Sequence, residues 1–216
     1  MKNIELLYED QFCLIFNKPA GLAVQGGKNI KQSLDSILSS EFTQRPLLVH
    51  RLDKDTSGII LTAKNPSAAL YFSKIISQKE SEKYYCALCY AKDISAIKKT
   101  GELNSILEIK GEKKQASTHF KTINSKNNYV LFELRLATGR MHQIRRQLAQ
   151  INCPVLGDDI YGDFALNKKL HKETGLKKML LHSSHLIIKN PQGKIIDIAS
   201  PLPDYFEKSV NDFITQ

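Results

Sequence analysis

Four strand-like stretches follow one another between residues 83 and 136, and no helical pattern separates them. They are Lys83–Tyr90, Ser105–Ile109, Ala116–Ile123 and Tyr129–Leu136, each rich in β-branched, aromatic or other apolar residues. Parallel strands need a long crossover connection, usually a helix, whereas antiparallel strands are joined by short turns. The succession therefore predicts a mostly antiparallel sheet.

Shorter stretches on both sides add further strands and a few helices. Ile4–Asn17 is typical of two strands around a turn at Glu9-Asp10. Further strand candidates are Gly58–Ala63, Leu180–Ile188 and Ile195–Ala199. Apolar residues at helical spacing predict helices over Ser33–Phe42, Ser67–Gln78 and Met141–Gln150, with Ser33 and Ser67 as caps of the first two. Strands outnumber helices, so the predicted fold is α+β, a mostly antiparallel mixed sheet with flanking helices and loops.

The chain shows no internal repeat, low-complexity tract or proline-rich linker. The nearest candidates for a linker are Lys98–Gly101 and the lysine-rich stretch Asn167–Lys178. We therefore predict one domain over residues 1–216.

The charge balance favours a polyanionic partner. Lys and Arg number 31 against 22 Asp and Glu, a net charge of +9. Much of this excess is scattered lysine, so charge alone does not separate nucleic-acid binding from a generic basic surface. Glu5, Glu9 and Asp10 interrupt the N-terminal apolar stretch, and no apolar run reaches the roughly 20 residues of a membrane span. Four cysteines, interpreted as reduced thiols, agree with a cytoplasmic protein that does not bind membranes.

The segment from His50 to Leu61 places charged residues directly before an apolar strand. A loop at the start of a core strand can aim Asp53 into a cleft. The following Thr56-Ser57-Gly58 supplies hydroxyls and a glycine that permits close backbone approach. The alternative is a solvated polar loop in which Asp53 only caps a turn.

A second polar segment, Ala137–Gln147, combines a Thr138-Gly139 turn with a basic helix. At about 100° per residue, Arg140, His142 and Arg145 cannot share one helix face. His142 does share a side with Arg145 or Arg146, and such a basic side suits RNA phosphates. The alternative is a surface helix with basic residues and no ligand.

The remaining motifs argue against metal sites and against several classes of enzyme. Pro154–Asp163 is a glycine-flanked turn with three carboxylates, but it lacks the ligand pattern of a calcium loop, so we expect a solvated turn and no metal. Cys86 and Cys89 have zinc-like spacing without a second ligand pair. The chain contains no phosphate-binding loop, dinucleotide fingerprint or serine-hydrolase elbow, so these reaction classes lack their signatures.

Taken in order along the chain, these motifs resemble the RluA-like family of RNA pseudouridine synthases. The matching stretches are Asn17-Lys18-Pro19-Ala20-Gly21, His50-Arg51-Leu52-Asp53 with Thr56-Ser57-Gly58, Lys83-x-Tyr85, Thr138-Gly139-Arg140, His142-Gln143-Ile144-Arg145, Gly157-Asp158 with Tyr161-Gly162, Leu181-His182 and Pro201-Leu202-Pro203. The resemblance implies the synthase catalytic fold around a central cleft and isomerisation of uridine in ribosomal or transfer RNA. It implies a reaction without a cofactor, which agrees with the missing nucleotide and metal motifs, and the sequence indicates no obligate protein partner.

The resemblance also assigns catalytic residues. Asp53 would be the catalytic carboxylate, acting as nucleophile at C1′ or as base at C2′ of the ribose. Arg145 would keep this carboxylate ionised, Tyr85 would stack on the uracil and assist removal of the C5 proton, and Leu181 would form an apolar floor. For Arg51, which lies close to Asp53, we add the hypothesis that it contacts a phosphate or fills the space left by a flipped uridine.

Substrate binding would extend to basic residues outside this set. Lys18, Arg140 and Arg146 are expected to contact the RNA backbone, with His142 beside them. Met141, Arg146 and Gln147 depart from the family's usual residues near Arg145, which weakens assignment of the substrate by analogy. The S4 domain that many relatives carry in front of the catalytic domain is expected to be absent.

Two other functions fit parts of the sequence. A catalytically silent RNA-binding protein on the same scaffold would explain the positive charge. A glycoside hydrolase would use Asp53 with Asp55 as its carboxylate pair.

Overall fold

The computed structural model describes residues 4–28, 30–109 and 111–215 and confirms the predicted α+β class. Every strand pairing with a described register is antiparallel. The chain divides into two compact units: unit 1 comprises Met1–Lys83 and Ser183–Pro201, and unit 2 comprises Tyr84–His182 and Leu202–Gln216. Each unit is described by itself, and the single domain stays a prediction.

Unit 1 is built on a sheet whose middle strand is completely buried. Its strands are β1 (Glu5–Glu9), β2 (Cys13–Lys18), β3 (Leu47–Leu48), β4 (Ser57–Ala63), the greater part of β9 (Leu181–Lys189), and β10 (Ile195–Ala199). The path runs β1-β2-β4-β9, with β10 on β9 and β3 on β4. The β1–β2 turn is closed by Asp10, whose Oδ1 accepts hydrogen bonds from the backbone N–H of Phe12 and Cys13. All seven residues of β4 are buried, as expected for a central strand.

Unit 1 also contains two capped helices, of which α2 packs against the sheet. Helix α1 (Leu34–Glu41) begins with the predicted cap Ser33, which forms a reciprocal capping box with Ser36. Helix α2 (Pro66–Ser77) is capped by Asn65 and not by the predicted Ser67, because Pro66 supplies a backbone already suited to the first helical position. From α2, Ala68, Phe72 and Ile75 pack into a core that includes Ile15 of β2 and Leu61 of β4.

Unit 2 contains the remaining long strands. They are β5 (Glu82–Tyr90), β6 (Thr100–Ile109), β7 (Glu112–Lys126) and β8 (Tyr129–Leu136), in the order β5-β8-β7-β6. Strands β6 and β7 extend well beyond their predicted bounds, because the added residues are polar and largely solvent-exposed and carry no apolar pattern. Hairpin pairing along ten residue pairs stabilises them instead.

Three helices accompany these strands, α3 (Gln143–Gln150), α4 (Phe164–Thr174) and α5 (Asp204–Val210), and a short π-helical segment (Asn211–Thr215) follows α5. The lysine-rich stretch considered as a linker belongs largely to α4. Its Leu170 packs with Leu88, Leu180 and Phe206 in the core of unit 2. Within the described ranges, no helix is both long and apolar enough to cross a bilayer.

Candidate active site

Asp53 lies in unit 1, in the loop that leads into the buried strand β4. The side chain is partly exposed, and its backbone carbonyl accepts a hydrogen bond from the N–H of Thr56 at 3.2 Å. Thr56 and Ser57 are both buried. The predicted arrangement of a polar loop at the edge of a core strand is therefore confirmed, and Asp53 is partly exposed in it.

His50 anchors the front of this loop to the strand that follows it. Its Nε2 accepts a hydrogen bond from the backbone N–H of Leu61 at 2.9 Å, so this nitrogen carries no proton. Burial lowers the pKa of His50 to about 3, and the positive charge of Lys83 acts in the same direction. The imidazole is therefore neutral at physiological pH and has a structural role.

Lys18 anchors the other side of the loop. Its Nζ donates to the carbonyl oxygens of Pro19 at 3.0 Å, Leu22 at 2.8 Å and Lys54 at 3.0 Å, and the side chain is completely buried. Burial lowers the pKa of Lys18 to about 8, although the negative charges of Asp55 and Asp53 act in the opposite direction. The predicted contact of Lys18 with RNA is wrong, because three backbone carbonyls enclose the ammonium group.

Gly58 fixes the end of the loop. Its φ is +104°, and a Cβ atom at this position would lie 2.2 Å from the carbonyl oxygen of Ser183. The predicted close backbone approach is thus confirmed. Contacts of Lys18, His50 and Gly58 therefore hold the segment that carries Asp53. Arg51 in the same segment is exposed to solvent, and its role in RNA binding stays a prediction.

Arg145 lies in unit 2 on helix α3, and its side chain is 3% exposed. Its guanidinium donates through Nε to Asp158 Oδ2 at 2.7 Å and through Nη2 to Asp158 Oδ1 at 2.8 Å. This is a bidentate ion pair, the geometry that orients an arginine most strictly.

Asp158 is equally buried, with 1% of its side chain exposed. Its Oδ1 also accepts hydrogen bonds from the backbone N–H of Ile160 and Tyr161, both at 2.9 Å. Burial alone would raise the pKa of the Asp158 carboxyl, but the bonds from Arg145 and the two N–H groups hold it below its usual value. The expected solvated turn is therefore wrong for Asp158 and correct for Asp159, whose side chain is 77% exposed.

Two aromatic rings lie next to this ion pair. The Tyr161 ring centre lies 5.3 Å from the guanidinium carbon of Arg145. The Tyr161 hydroxyl lies 3.1 Å from Nδ1 of His142, and the two rings meet edge to face. His142 directly precedes α3, and its φ is +53°. The predicted helix over Met141–Gln150 therefore begins only at Gln143, because a left-handed residue cannot lie inside an α-helix.

The basic side predicted for this helix is also wrong in part. Arg145 is buried in its ion pair and does not face solvent. Arg146 is partly exposed, and its Nη1 donates to the carbonyl oxygen of Glu108 at 3.0 Å. Arg140 is exposed, and its Nε donates to the carbonyl oxygen of Gln115 at 3.2 Å. Both arginines are thus held to the β6–β7 hairpin.

The helix itself is fixed to the same hairpin by buried glutamines. Gln147 Nε2 donates to the carbonyl oxygens of Leu103 and Ala116, and its Oε1 accepts from the hydroxyl of Thr118. Gln143 Nε2 donates to the carbonyl oxygen of Ser117 and to the Thr118 hydroxyl. Sequence reasoning treated Gln147 only as a departure from the family, whereas it positions the helix that carries Arg145.

The two remaining predicted residues, Tyr85 on β5 and Leu181 at the start of β9, are buried in unit 2, with 7% and 3% exposure. Tyr85 pairs with Leu134 of β8. Asp53 and Arg51 therefore belong to unit 1, while Tyr85, Arg145 and Leu181 belong to unit 2 with Arg140 and His142. That all of them serve one reaction stays a prediction.

Comparisons with known proteins add independent information. Residues 12–150 match the family model described as RNA pseudouridylate synthase. Ribosomal large subunit pseudouridine synthase C of Rickettsia bellii (strain RML369-C) is 38% identical over 94% of this chain and 70% of its own length. The protein of the same name from Buchnera aphidicola subsp. Schizaphis graminum is 34% identical over 97% of this chain and 70% of its own.

Solved structures show the same fold. Human RNA pseudouridylate synthase domain containing 4 superposes with a TM-score of 0.79 at 23% identity, covering 96% of this chain and 92% of the other. Human RNA pseudouridylate synthase domain containing 1 gives a TM-score of 0.75 at 21% identity, covering 92% and 83%.

Proposed function

Because this chain belongs to the RNA pseudouridylate synthase family, we propose that it isomerises uridine to pseudouridine in the RNA of the large ribosomal subunit. The chain is an RNA pseudouridine synthase, an isomerase. The choice of ribosomal over transfer RNA rests on relatives named as ribosomal large subunit pseudouridine synthases, at 38% identity over 94% of the chain. The same proposal places the enzyme in the cytoplasm with its substrate.

The observation that carries the catalytic assignment is the fixed position of Asp53. Its loop is held by Lys18, His50 and Gly58, while Asp53 itself is partly exposed. A group that is fixed and also accessible can be held in line with a substrate atom at little entropic cost. We therefore assign to Asp53 the attack on the ribose, as nucleophile at C1′ or as base at C2′.

The reaction breaks the glycosidic bond between C1′ and N1 and forms a bond between C1′ and C5 of the same uracil. The C5 proton leaves, and N1 gains a proton, so that substrate and product have the same composition. No reductant or energy source is consumed. The target base must first leave its stack, at a cost of a few kcal/mol, and Arg51 is assigned to contact a phosphate or fill the vacated space.

The other assignments are those that the resemblance to the family implies. Asp53 acts in its ionised form, and a neighbouring cation favours that form. Arg145 is assigned this task, and its ion pair with Asp158 fixes the direction of the guanidinium. Tyr85 stacks on the uracil and assists removal of the C5 proton, and Leu181 contributes apolar surface. Arg140 and His142 bind the RNA near this set.

The proposal is tested by mapping pseudouridine in cellular RNA. Ribosomal and transfer RNA from a strain lacking the protein are incubated with it, and modified positions are read as carbodiimide-dependent primer stops. We expect discrete new stops in the large-subunit RNA. New stops confined to transfer RNA would refute the substrate assignment, and release of free uracil would instead indicate the glycoside hydrolase.

A further inference from the structure

The lysine-rich stretch around helix α4 forms an exposed basic surface that the proposed reaction does not use. Residues 164–178 contain five lysines and one glutamate, so that they supply +4 of the chain's net charge of +9. The five lysines are all exposed. They are Lys168, Lys169, Lys172, Lys177 and Lys178. Among the ion pairs of the described residues none involves these lysines, although the ammonium group of Lys178 lies 4.7 Å from the ring centre of Tyr205.

Phe164 adds an aromatic ring to this surface. It is the first residue of α4 and is 62% exposed, although apolar rings of this size are usually buried. Because residues four apart lie on the same side of a helix, Phe164, Lys168 and Lys172 form one row. The helix that carries this row is firmly held: Asp163 caps it through the N–H of Leu166, and Leu170 is buried in the core.

A cavity of about 280 Å³ opens beside this row. Its lining includes Phe164, Asn167, His171, Leu176 and Lys177. The amide of Asn167 is already engaged, since Nδ2 donates to the carbonyl oxygen of Asp158 and Oδ1 accepts from the N–H of Gly157. Asn167 therefore links the cavity wall to the turn that contains Asp158, whose carboxylate orients Arg145.

Charge and shape together fit single-stranded RNA. Exposed aromatic rings bordered by lysines bind such RNA, because any base stacks on the ring and the cations contact phosphates. The exposed carboxylate of Asp159 also lines the cavity and disfavours a phosphate inside it. A neutral base is thus the group that suits the cavity, with the phosphates on the lysines outside.

We propose that the α4 surface, formed by Phe164, Lys168, His171, Lys172 and Lys177, binds the substrate RNA outside the target uridine. An unpaired base stacks on Phe164 in the cavity, and Lys168, Lys172 and Lys177 contact the flanking phosphates. This inference rests on the proposed function, because it takes the RNA to be the substrate of the same enzyme. It adds a second point of attachment that supports the choice of uridine.

The test compares two triple variants of equal charge. One is Lys168→Gln/Lys172→Gln/Lys177→Gln on the α4 surface. The control, Lys74→Gln/Lys79→Gln/Lys189→Gln, removes three exposed lysines of unit 1. Affinity for a transcript of the large-subunit ribosomal RNA is measured by filter binding at several salt concentrations. Because each lost phosphate contact lowers the salt slope by about 0.7 to 0.9, the first variant is expected to reduce it by about 2 to 3 and the control much less.

A single variant tests the stacking contact. Phe164→Ala is expected to weaken binding about fivefold or more at every salt concentration with an unchanged slope, because stacking on an aromatic ring contributes roughly 1 to 3 kcal/mol per base. Phe164→Tyr keeps the ring and is expected to retain native affinity. Equal salt slopes for the two triple variants, or native affinity of Phe164→Ala, would overturn the proposal.

These binding measurements do not depend on turnover. If the native chain binds the transcript without forming pseudouridine in it, the proposed function fails, and the slopes still decide the role of the α4 surface. If pseudouridine forms while both triple variants bind alike, the α4 surface is excluded and the proposed function stands.

Discussion

The buried ion pair between Arg145 and Asp158 makes the sharpest stability prediction. Asp158→Asn keeps the shape of the side chain, and its Oδ1 can still accept from the N–H groups of Ile160 and Tyr161. The change removes the negative charge beside a guanidinium that is 3% exposed, and it also replaces Oδ2, which accepts from Arg145 Nε, by an amide nitrogen that cannot accept. Removing one partner of a buried pair costs about 3 to 5 kcal/mol, because the other charge stays buried without compensation.

This loss is large compared with the total stability of a domain, about 5 to 15 kcal/mol. If the free energy of unfolding falls by about 3 kcal/mol per molar urea, a steep dependence, the urea concentration at the unfolding midpoint still falls by about 1 M or more. The chain contains no tryptophan, so unfolding is followed by circular dichroism. The matched control is Asp159→Asn, which removes an exposed carboxylate 3.7 Å from the same guanidinium and is expected to cost less than about 1 kcal/mol.

The pH dependence supplies a second measurement on the same pair. The pKa of Asp158 is lower in the folded protein than in the unfolded chain. The ionised carboxylate therefore contributes fully to stability above the unfolded pKa near 4, and this contribution is lost as the pH falls through the lowered folded pKa. The native chain and Asp158→Asn should therefore differ most near neutral pH and converge in acid. Equal midpoints at pH 7, or a difference that persists unchanged in acid, would refute this account.

Three further substitutions test the anchors of the Asp53 loop. The folded pKa of His50, about 3, is below its unfolded value, so the free energy of unfolding of the native chain falls as the pH drops below about 6.5, by up to about 1.4 kcal/mol per pH unit. His50→Gln can accept a hydrogen bond from the same N–H. Urea unfolding of this variant at pH values between about 3 and about 6.5 should show a weaker dependence of stability on pH. Gly58→Ala combines positive-φ strain with a backbone clash and should lower the free energy of unfolding in urea by about 2 to 5 kcal/mol. In the control Gly193→Ala the φ is also positive but a Cβ atom would meet no neighbour, so the loss should be about 1 to 2 kcal/mol. Lys18→Met leaves three backbone carbonyls without their donor and should lower kcat about tenfold or more, since loss of position at a reacting group is costly. RNA affinity, measured by filter binding, should stay unchanged.

The local sequence pattern was sufficient to predict the sheet and the loop that carries Asp53. Apolar strands beside short turns predicted the antiparallel arrangement, and a glycine at the start of a core strand predicted the backbone contact made by Gly58. These features depend on neighbours in sequence or on properties of one residue. They could therefore be derived without knowledge of the folded chain.

Features that depend on distant partners were missed. The sequence pattern indicates a surface cation at Lys18, because no neighbouring residue shows that the carbonyl of Lys54, 36 residues away, accepts its hydrogen bond. The same is true of Asp158, for which the sequence predicts a solvated turn because its partner Arg145 is on a separate element. Helix α4 was missed since only Leu166 and Leu170 give it apolar spacing among many lysines. The match of Gly157-Asp158 to the family motif was the one signal that pointed to a specific role for Asp158.

The central claim is that the Asp53 carboxylate performs the isomerisation, and one substitution tests it most directly. Asp53→Asn and the control Asp55→Asn, from the same loop, are each incubated with ribosomal RNA lacking the modification, and pseudouridine and RNA affinity are both measured. We expect Asp53→Asn to form no pseudouridine above background while binding RNA as the native chain does, and Asp55→Asn to form it readily. Native modification by Asp53→Asn would contradict the claim.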